Sequence, residues 1–150
     1  MADLVPVGGV RVEQVVVESV RYSAPCQDCG AELTCYGTQA LVDGRLRWDV
    51  DATCCACGST VAVCGGDLPG ERRDQMLAEH GPVTLHVPGA AANGAVIMRV
   101  LRAELGLDLL HARGALRRVR SGDYAGTLPE VELLARGLRA SGVAATAVRP

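Results

Sequence analysis

The sequence predicts an α+β chain with a β-rich, cysteine-bearing first part and a second part in which helices lie between strands. Between residues 10 and 63, β-branched residues are enriched and apolar and polar side chains alternate over long runs. Two CxxCG turns, Cys26-Gln27-Asp28-Cys29-Gly30 and Cys54-Cys55-Ala56-Cys57-Gly58, bracket a hairpin-like segment. From residue 83 onward, three stretches with helical apolar spacing are bounded by short strand-like runs.

Residues 1–9 contain Pro6, Gly8 and Gly9 and are expected as a loose terminus. Val10, Val12, Val16, Val20 and Tyr22 share one parity, which predicts a strand leading into Pro25 and the first cysteine turn. Residues 33–42 have strand content. Asp43-Gly44 is a hairpin turn, because both residues tolerate positive φ. The returning strand, residues 45–53, places Leu46, Trp48, Val50 and Ala52 on one face and Arg47, Asp49 and Asp51 on the other. Residues 59–63 form a third strand.

The x-x spacing of each cysteine turn aims two thiolates at one ion, and the Gly lets the backbone turn beneath them. Cys26, Cys29, Cys54 and Cys57 are therefore the expected ligands of a structural zinc ion in a three-stranded zinc ribbon. Cys55 could take the place of Cys54, but only Cys54 keeps the spacing. Cys35 and Cys64 lie on strands and are expected as small buried apolar residues.

Gly65-Gly66 and Pro69-Gly70 punctuate the exit, and residues 71–80 read as a spacer helix stopped by Gly81-Pro82. The expected organisation is a ribbon over residues 1–66, a linker over 67–82 and a second domain over 83–150. In that domain residues 83–87 are a strand, and Asn93 is the expected N-cap of a helix over 94–105. Asp108 caps a second helix along which Leu109, Ala112, Leu116 and Val119 share a face. Thr127-Leu128-Pro129-Glu130 is a capping box opening a third helix, and residues 143–148 close the domain as a strand. The order is β-α-α-α-β.

Composition narrows the function. The chain has 150 residues, 49% hydrophobic, with 3% aromatic, one Trp and no Phe, so base-stacking platforms are disfavoured. Net charge is -2, with twelve acids against six Arg in residues 1–82 and five acids against nine Arg in residues 83–150. Nucleic-acid affinity comes from Lys and Arg, yet the hairpin sets Arg45 and Arg47 among Asp43, Asp49 and Asp51. Arg117, Arg118 and Arg120 form a run that suits a helix C-terminus, with an acidic protein or RNA as the other reading. Seven cysteines and no signal-like leader predict metal-bound thiols in the reducing cytoplasm. No apolar run is long enough to cross a membrane. His80, His86 and His111 have no nucleophile pattern beside them, so no catalytic residue is assigned.

Two stretches, Ile97-Met98-Arg99-Val100-Leu101-Arg102 and Leu105-Gly106-Leu107-Asp108-Leu109-Leu110-His111-Ala112-Arg113, resemble the helical hairpin of the C-terminal domain of the bacterial ribosomal large-subunit stalk protein. That family reads V-I-K-x-V-R and T-G-L-G-L-K-E-A-K there. Leu133-Leu134-Ala135-Arg136-Gly137-Leu138 with Gly142 is similar to its third helix. The resemblance covers residues 83–150 and implies that Arg99, Arg102 and Arg113 contact a protein partner, since the family's basic residues contact translational GTPases. Leu110 and His111 depart from its Lys and Glu. The Clp protease adaptor shares this fold, but the acids it uses for α-amino groups are replaced here by Ala90-Ala91-Ala92-Asn93-Gly94.

The function expected is thus a non-enzymatic zinc-binding adaptor for an acidic protein partner, such as a translation factor or a larger enzyme complex. The alternatives are an RNA- or DNA-binding protein, and an accessory component or enzyme of a specialised pathway.

Overall fold

The computed structural model describes residues 13–150, so the expected loose terminus and the residues 10–12 that open the first predicted strand lie outside the described residues. Among the described residues the fold class is α+β, with four helices and two antiparallel sheets. The first sheet is a meander of β1 (Val16–Pro25), β2 (Glu32–Val42), β3 (Arg45–Thr53) and β4 (Thr60–Gly66) in spatial order β1-β2-β3-β4. It has four strands where the ribbon was expected to have three. The strand that seemed only to lead into the first cysteine turn pairs with β2 over its whole length, from Val16 opposite Leu41 to Pro25 opposite Glu32. The turn between β2 and β3 is the predicted one, with Asp43 at φ 49° and Gly44 at φ 74°.

Alternation along the strands decides which sheet face is covered. Val20, Leu41, Trp48 and Ala52 are buried on one face, whereas Ser19, Arg21 and Tyr36 are exposed on the other. The Trp48 ring occupies the space a Cβ on Gly37 would take, and packs with Val20 and Met76. Met76 belongs to α1 (Gly70–His80), the helix of the expected linker, which lies against β1.

The rest of the chain runs β5 (Val83–His86), α2 (Gly94–Leu105), α3 (Leu109–Ser121), β6 (Ala125–Gly126), α4 (Leu128–Ala140) and β7 (Thr146–Val148). These strands form a sheet ordered β6-β5-β7; β6, two residues long, falls in a segment that reads as loop because it has no alternation to display. Val83, Leu85, Ile97, Leu101, Leu134 and Leu138 are at the centre of its core. Asp108 caps α3 by accepting from the His111 backbone N–H at 2.8 Å, as expected. Asn93 occupies the N-cap position of α2 without capping it: its amide donates instead to the Gly89 carbonyl at 2.8 Å, closing the preceding turn.

Helix α4 contacts both sheets, and its buried residues exceed a single stripe. Its N-terminus also ties the two parts together. Arg73 on α1 donates to both oxygens of Glu130, at 2.8 and 2.9 Å. Burial opposes ionisation of Glu130, but the Arg73 bonds and the Thr127 N–H outweigh it and hold its carboxyl below the usual range. Thr127, 0% exposed, completes the capping box and bonds through its hydroxyl to the buried Gln39 of β2. Replacing Thr127 by Ala removes the cap and the donor to the buried Gln39 amide oxygen, so unfolding free energy is expected to fall by about 2–3 kcal/mol. Denaturant melts of Thr127→Ala and Thr127→Ser check this, because Ser keeps the hydroxyl and is expected to restore most of the loss.

Candidate metal centre

The two cysteine turns are equivalent pieces of the meander. Residues 26–31 connect β1 to β2 and close on the Pro25–Glu32 pair; residues 54–59 connect β3 to β4 and close on the Thr53–Thr60 pair. In each, the first Cys N–H donates five residues ahead, Cys26 to Ala31 and Cys54 to Ser59, both at 2.7 Å. In each, the Gly N–H returns to the first Cys carbonyl, Gly30 to Cys26 and Gly58 to Cys54, both at 2.9 Å. That return requires a left-handed residue, and Gly30 and Gly58 stand at φ 75° and 74°. Because β2 and β3 are paired, the two turns emerge side by side at one end of the sheet.

This brings the four predicted thiols together. The Sγ atoms of Cys26, Cys29, Cys54 and Cys57 all lie within 4.8 Å of one another, with Cys26–Cys57 at 3.7 Å and Cys29–Cys54 at 3.6 Å. A zinc–sulfur bond of about 2.3 Å places tetrahedral ligands about 3.8 Å apart. The donor set is therefore sized for a metal ion such as zinc, and four thiolates complete a tetrahedron. Cys26 and Cys54 are buried and Cys29 and Cys57 exposed, so the cluster sits at the rim of the sheet. Cys55 is exposed and outside it.

Charge explains why such a cluster favours a cation. The Ser59 hydroxyl and backbone N–H beside Cys57 hold its thiol down to about 6. At Cys29 the Ala31 backbone N–H also favours thiolate, but the thiols of Cys54 and Cys57 prevail and push it up to about 12. Packed thiolates repel one another, so they cannot all ionise until a positive ion joins them. The Ser59 hydroxyl also reaches the Asp28 carboxylate in the other turn, so its one hydrogen serves either Cys57 or Asp28. That cross-turn bond is a feature the spacing rule does not reveal, since nothing local to Asp28 points to residue 59.

Beneath the thiols the apolar support is thin: Cys26 and Cys54 themselves make up part of the buried cluster, with Leu33, Cys35 and Ala52. Cys35 is buried as expected, and burial pushes its thiol up. Cys64 is not buried as its strand position suggested; it is exposed on the edge strand β4, whose pairing with β3 becomes irregular after Val63. Asp49 accepts from Arg47 at 3.0–3.2 Å and from the Gly65 N–H at 2.8 Å. Arg47 foremost, then Gly65, hold the Asp49 carboxyl below its ordinary range.

Arg99, Arg102 and Arg113 are exposed on α2 and α3, and among the described residues none makes an ion pair. Arg99 borders a groove with Glu104, Gly137 and Ser141. On α3, in the turn before Arg113, Leu110 is 73% and Leu109 48% exposed. The Arg run at the end of α3 is partly occupied. The Arg118 guanidinium lies 5.1 Å from the Tyr124 ring centroid, and Arg120 packs over Gly94 at the start of α2. His80 contacts the Ser19 carbonyl at 2.6 Å and His111 bonds Asp108 at 2.8 Å. Among the described residues no helix is long and apolar enough to cross a membrane. No family model, curated protein or solved structure matches this chain.

Proposed function

We propose that the protein is a non-enzymatic adaptor in which a structural zinc ion stabilises the β meander and the α2–α3 hairpin presents a binding face to an acidic protein partner. The metal half rests on one observation, the closure of four thiols from two equivalent turns into a tetrahedron-sized cluster. A set of four thiolates leaves no ligand position for water, which suits a structural ion better than a catalytic one.

The partner half is supported by exposed Arg99, Arg102 and Arg113 without ion pairs among the described residues, and by the exposed Leu109 and Leu110 that precede Arg113 on α3. Apolar side chains flanked by Arg are the composition that binding faces favour. The element order is β5-α2-α3-β6-α4-β7, three helices between strands as the stalk-like reading of residues 83–150 expects, with β6 added; a translation factor or a larger enzyme complex in the cytoplasm is the partner class that reading implies. Nucleic acid is disfavoured by the local engagement of Arg118 and Arg120.

The double variant Arg99→Glu/Arg102→Glu is expected to lose the partner captured by the wild-type chain from its native lysate, by tenfold or more in recovery. Metal content and the melting curve are expected to stay unchanged, because both side chains are exposed. Undiminished capture would overturn the assignment of this face.

A further inference from the structure

Helix α3 has a glycine that its own packing does not require. Gly114 lies in the middle of the helix, where glycine weakens the fold because it leaves the unfolded chain more freedom than any other residue. A Cβ at this position would meet only the Arg117 Nη2 atom, at 3.9 Å, an ordinary contact with the end of a flexible side chain. Among the described residues, therefore, nothing excludes a larger residue here. A glycine so placed leaves the helix backbone open to close approach from outside the chain.

The side of α3 that bears Gly114 borders an open groove of about 830 Å³. Its floor is apolar: Leu105, Leu107 and Tyr124 pack against the core while only partly buried, and Leu110 stands exposed at its edge. Its rim carries Arg117 and Arg118, and no residue that lines it is acidic. Arg117 makes no ion pair among the described residues, and the Arg118 guanidinium lies over the Tyr124 ring. The two acids next to the groove in sequence have local partners, Asp108 in His111 and Asp123 in the Ser121 hydroxyl.

We propose that this groove receives an amphipathic helix of the partner protein, whose apolar stripe packs on Leu107, Leu110 and Gly114 and whose acidic residues face Arg117 and Arg118. The proposal rests on the reading of the α2–α3 hairpin as a protein-binding element and names what docks there. A helix is selected because α3 offers only side chains. An extended segment would find no row of backbone donors and acceptors to pair with, whereas a helix satisfies its own. From Leu110 to Ser121 the groove follows α3 for about 16 Å, room for three helical turns. The rim selects the sign of charge, since a basic helix would meet two arginines.

Selection of displayed random peptides, about 16 residues long, on the immobilised zinc-loaded full chain tests this. Enriched sequences are expected to place apolar residues at i, i+3 or i+4 and i+7 with Asp or Glu beside them, and to shift the amide resonances of Leu107, Leu110 and Gly114. Gly114→Ala is expected to raise the melting temperature by about 2–4 °C, yet to weaken the selected peptide about fivefold or more by blocking close approach. Arg117→Glu is expected to weaken it about tenfold or more with the melting curve unchanged. No enrichment, enrichment of basic or extended sequences, or equal affinity in the wild type and both variants would overturn the proposal. If those results accompany loss of partner capture by Arg99→Glu/Arg102→Glu, the groove is overturned and the hairpin face stands.

Discussion

Cys26→Ser is expected to reduce bound zinc from about one ion per chain to almost none and to unfold one end of the molecule selectively. The reason lies in what supports that end. The buried cluster beneath the turns contains Cys26 and Cys54 themselves with Leu33, Cys35 and Ala52, and Tyr22, Ala24, Ala31 and Val50 pack against it while only partly buried. Metal binding in small thiolate modules contributes folding free energy on the order of 10 kcal/mol, far more than burying three small or medium apolar side chains provides. Loss of the ion therefore leaves residues 26–31 and 54–59 without sufficient reason to stay in their left-handed turns. The core around Leu85, Ile97, Leu101, Leu134 and Leu138 contains no ligand and is expected to persist. Hydrogen exchange gives the readout: fast exchange at the Cys26, Gly30, Cys54 and Gly58 amides, with α2 and α4 still protected. Cys55→Ser is the control expected to retain zinc, because Cys55 lies outside the cluster.

Trp48→Ala is expected to cost about 3–5 kcal/mol, the range for truncating a large buried aromatic residue. Trp48 is 4% exposed, occupies the space a Cβ on Gly37 would take and packs against Val20 and Met76, so it joins β1, β2 and β3 to α1. No other aromatic residue is buried to that degree, and the surrounding aliphatic side chains cannot fill the space a tryptophan leaves. The reciprocal change, Gly37→Ala, puts a methyl group into the ring's position and is expected to cost about 1–3 kcal/mol through overpacking. Chemical denaturation checks both. A Trp48→Ala variant within 1 kcal/mol of wild type would show that the ring is not the link between sheet and helix that this packing implies.

The legible parts of this fold are those whose cause is local. The CxxCG spacing identified all four clustered cysteines because a two-residue interval and one left-handed Gly determine where the thiols point. Asp43-Gly44, the Asp108 cap and the Thr127–Glu130 capping box were readable for the same reason: donor and acceptor lie within a few residues. What escaped the sequence depends on partners far along the chain. The parity of Val16, Val20 and Tyr22 marked a strand, but not that it would pair with β2 and make the first cysteine turn a hairpin loop. Trp48 on Gly37, Arg73 on Glu130 and Gln39 on Thr127 join segments whose proximity only the tertiary fold creates. Asn93 shows that even a local rule can lose, since its amide found the Gly89 carbonyl before the helix N–H groups. Cys64 is exposed because β4 is the edge strand of its sheet and its pairing with β3 becomes irregular after Val63, which no strand pattern records.

The account rests on one closed four-sulfur centre, and X-ray absorption at the zinc edge of the purified chain tests it most directly. Four sulfur neighbours at about 2.3 Å, no nitrogen or oxygen neighbour and about one zinc per chain are expected. A shell with oxygen or nitrogen, or metal well below one equivalent that Cys26→Ser leaves unchanged, would contradict it.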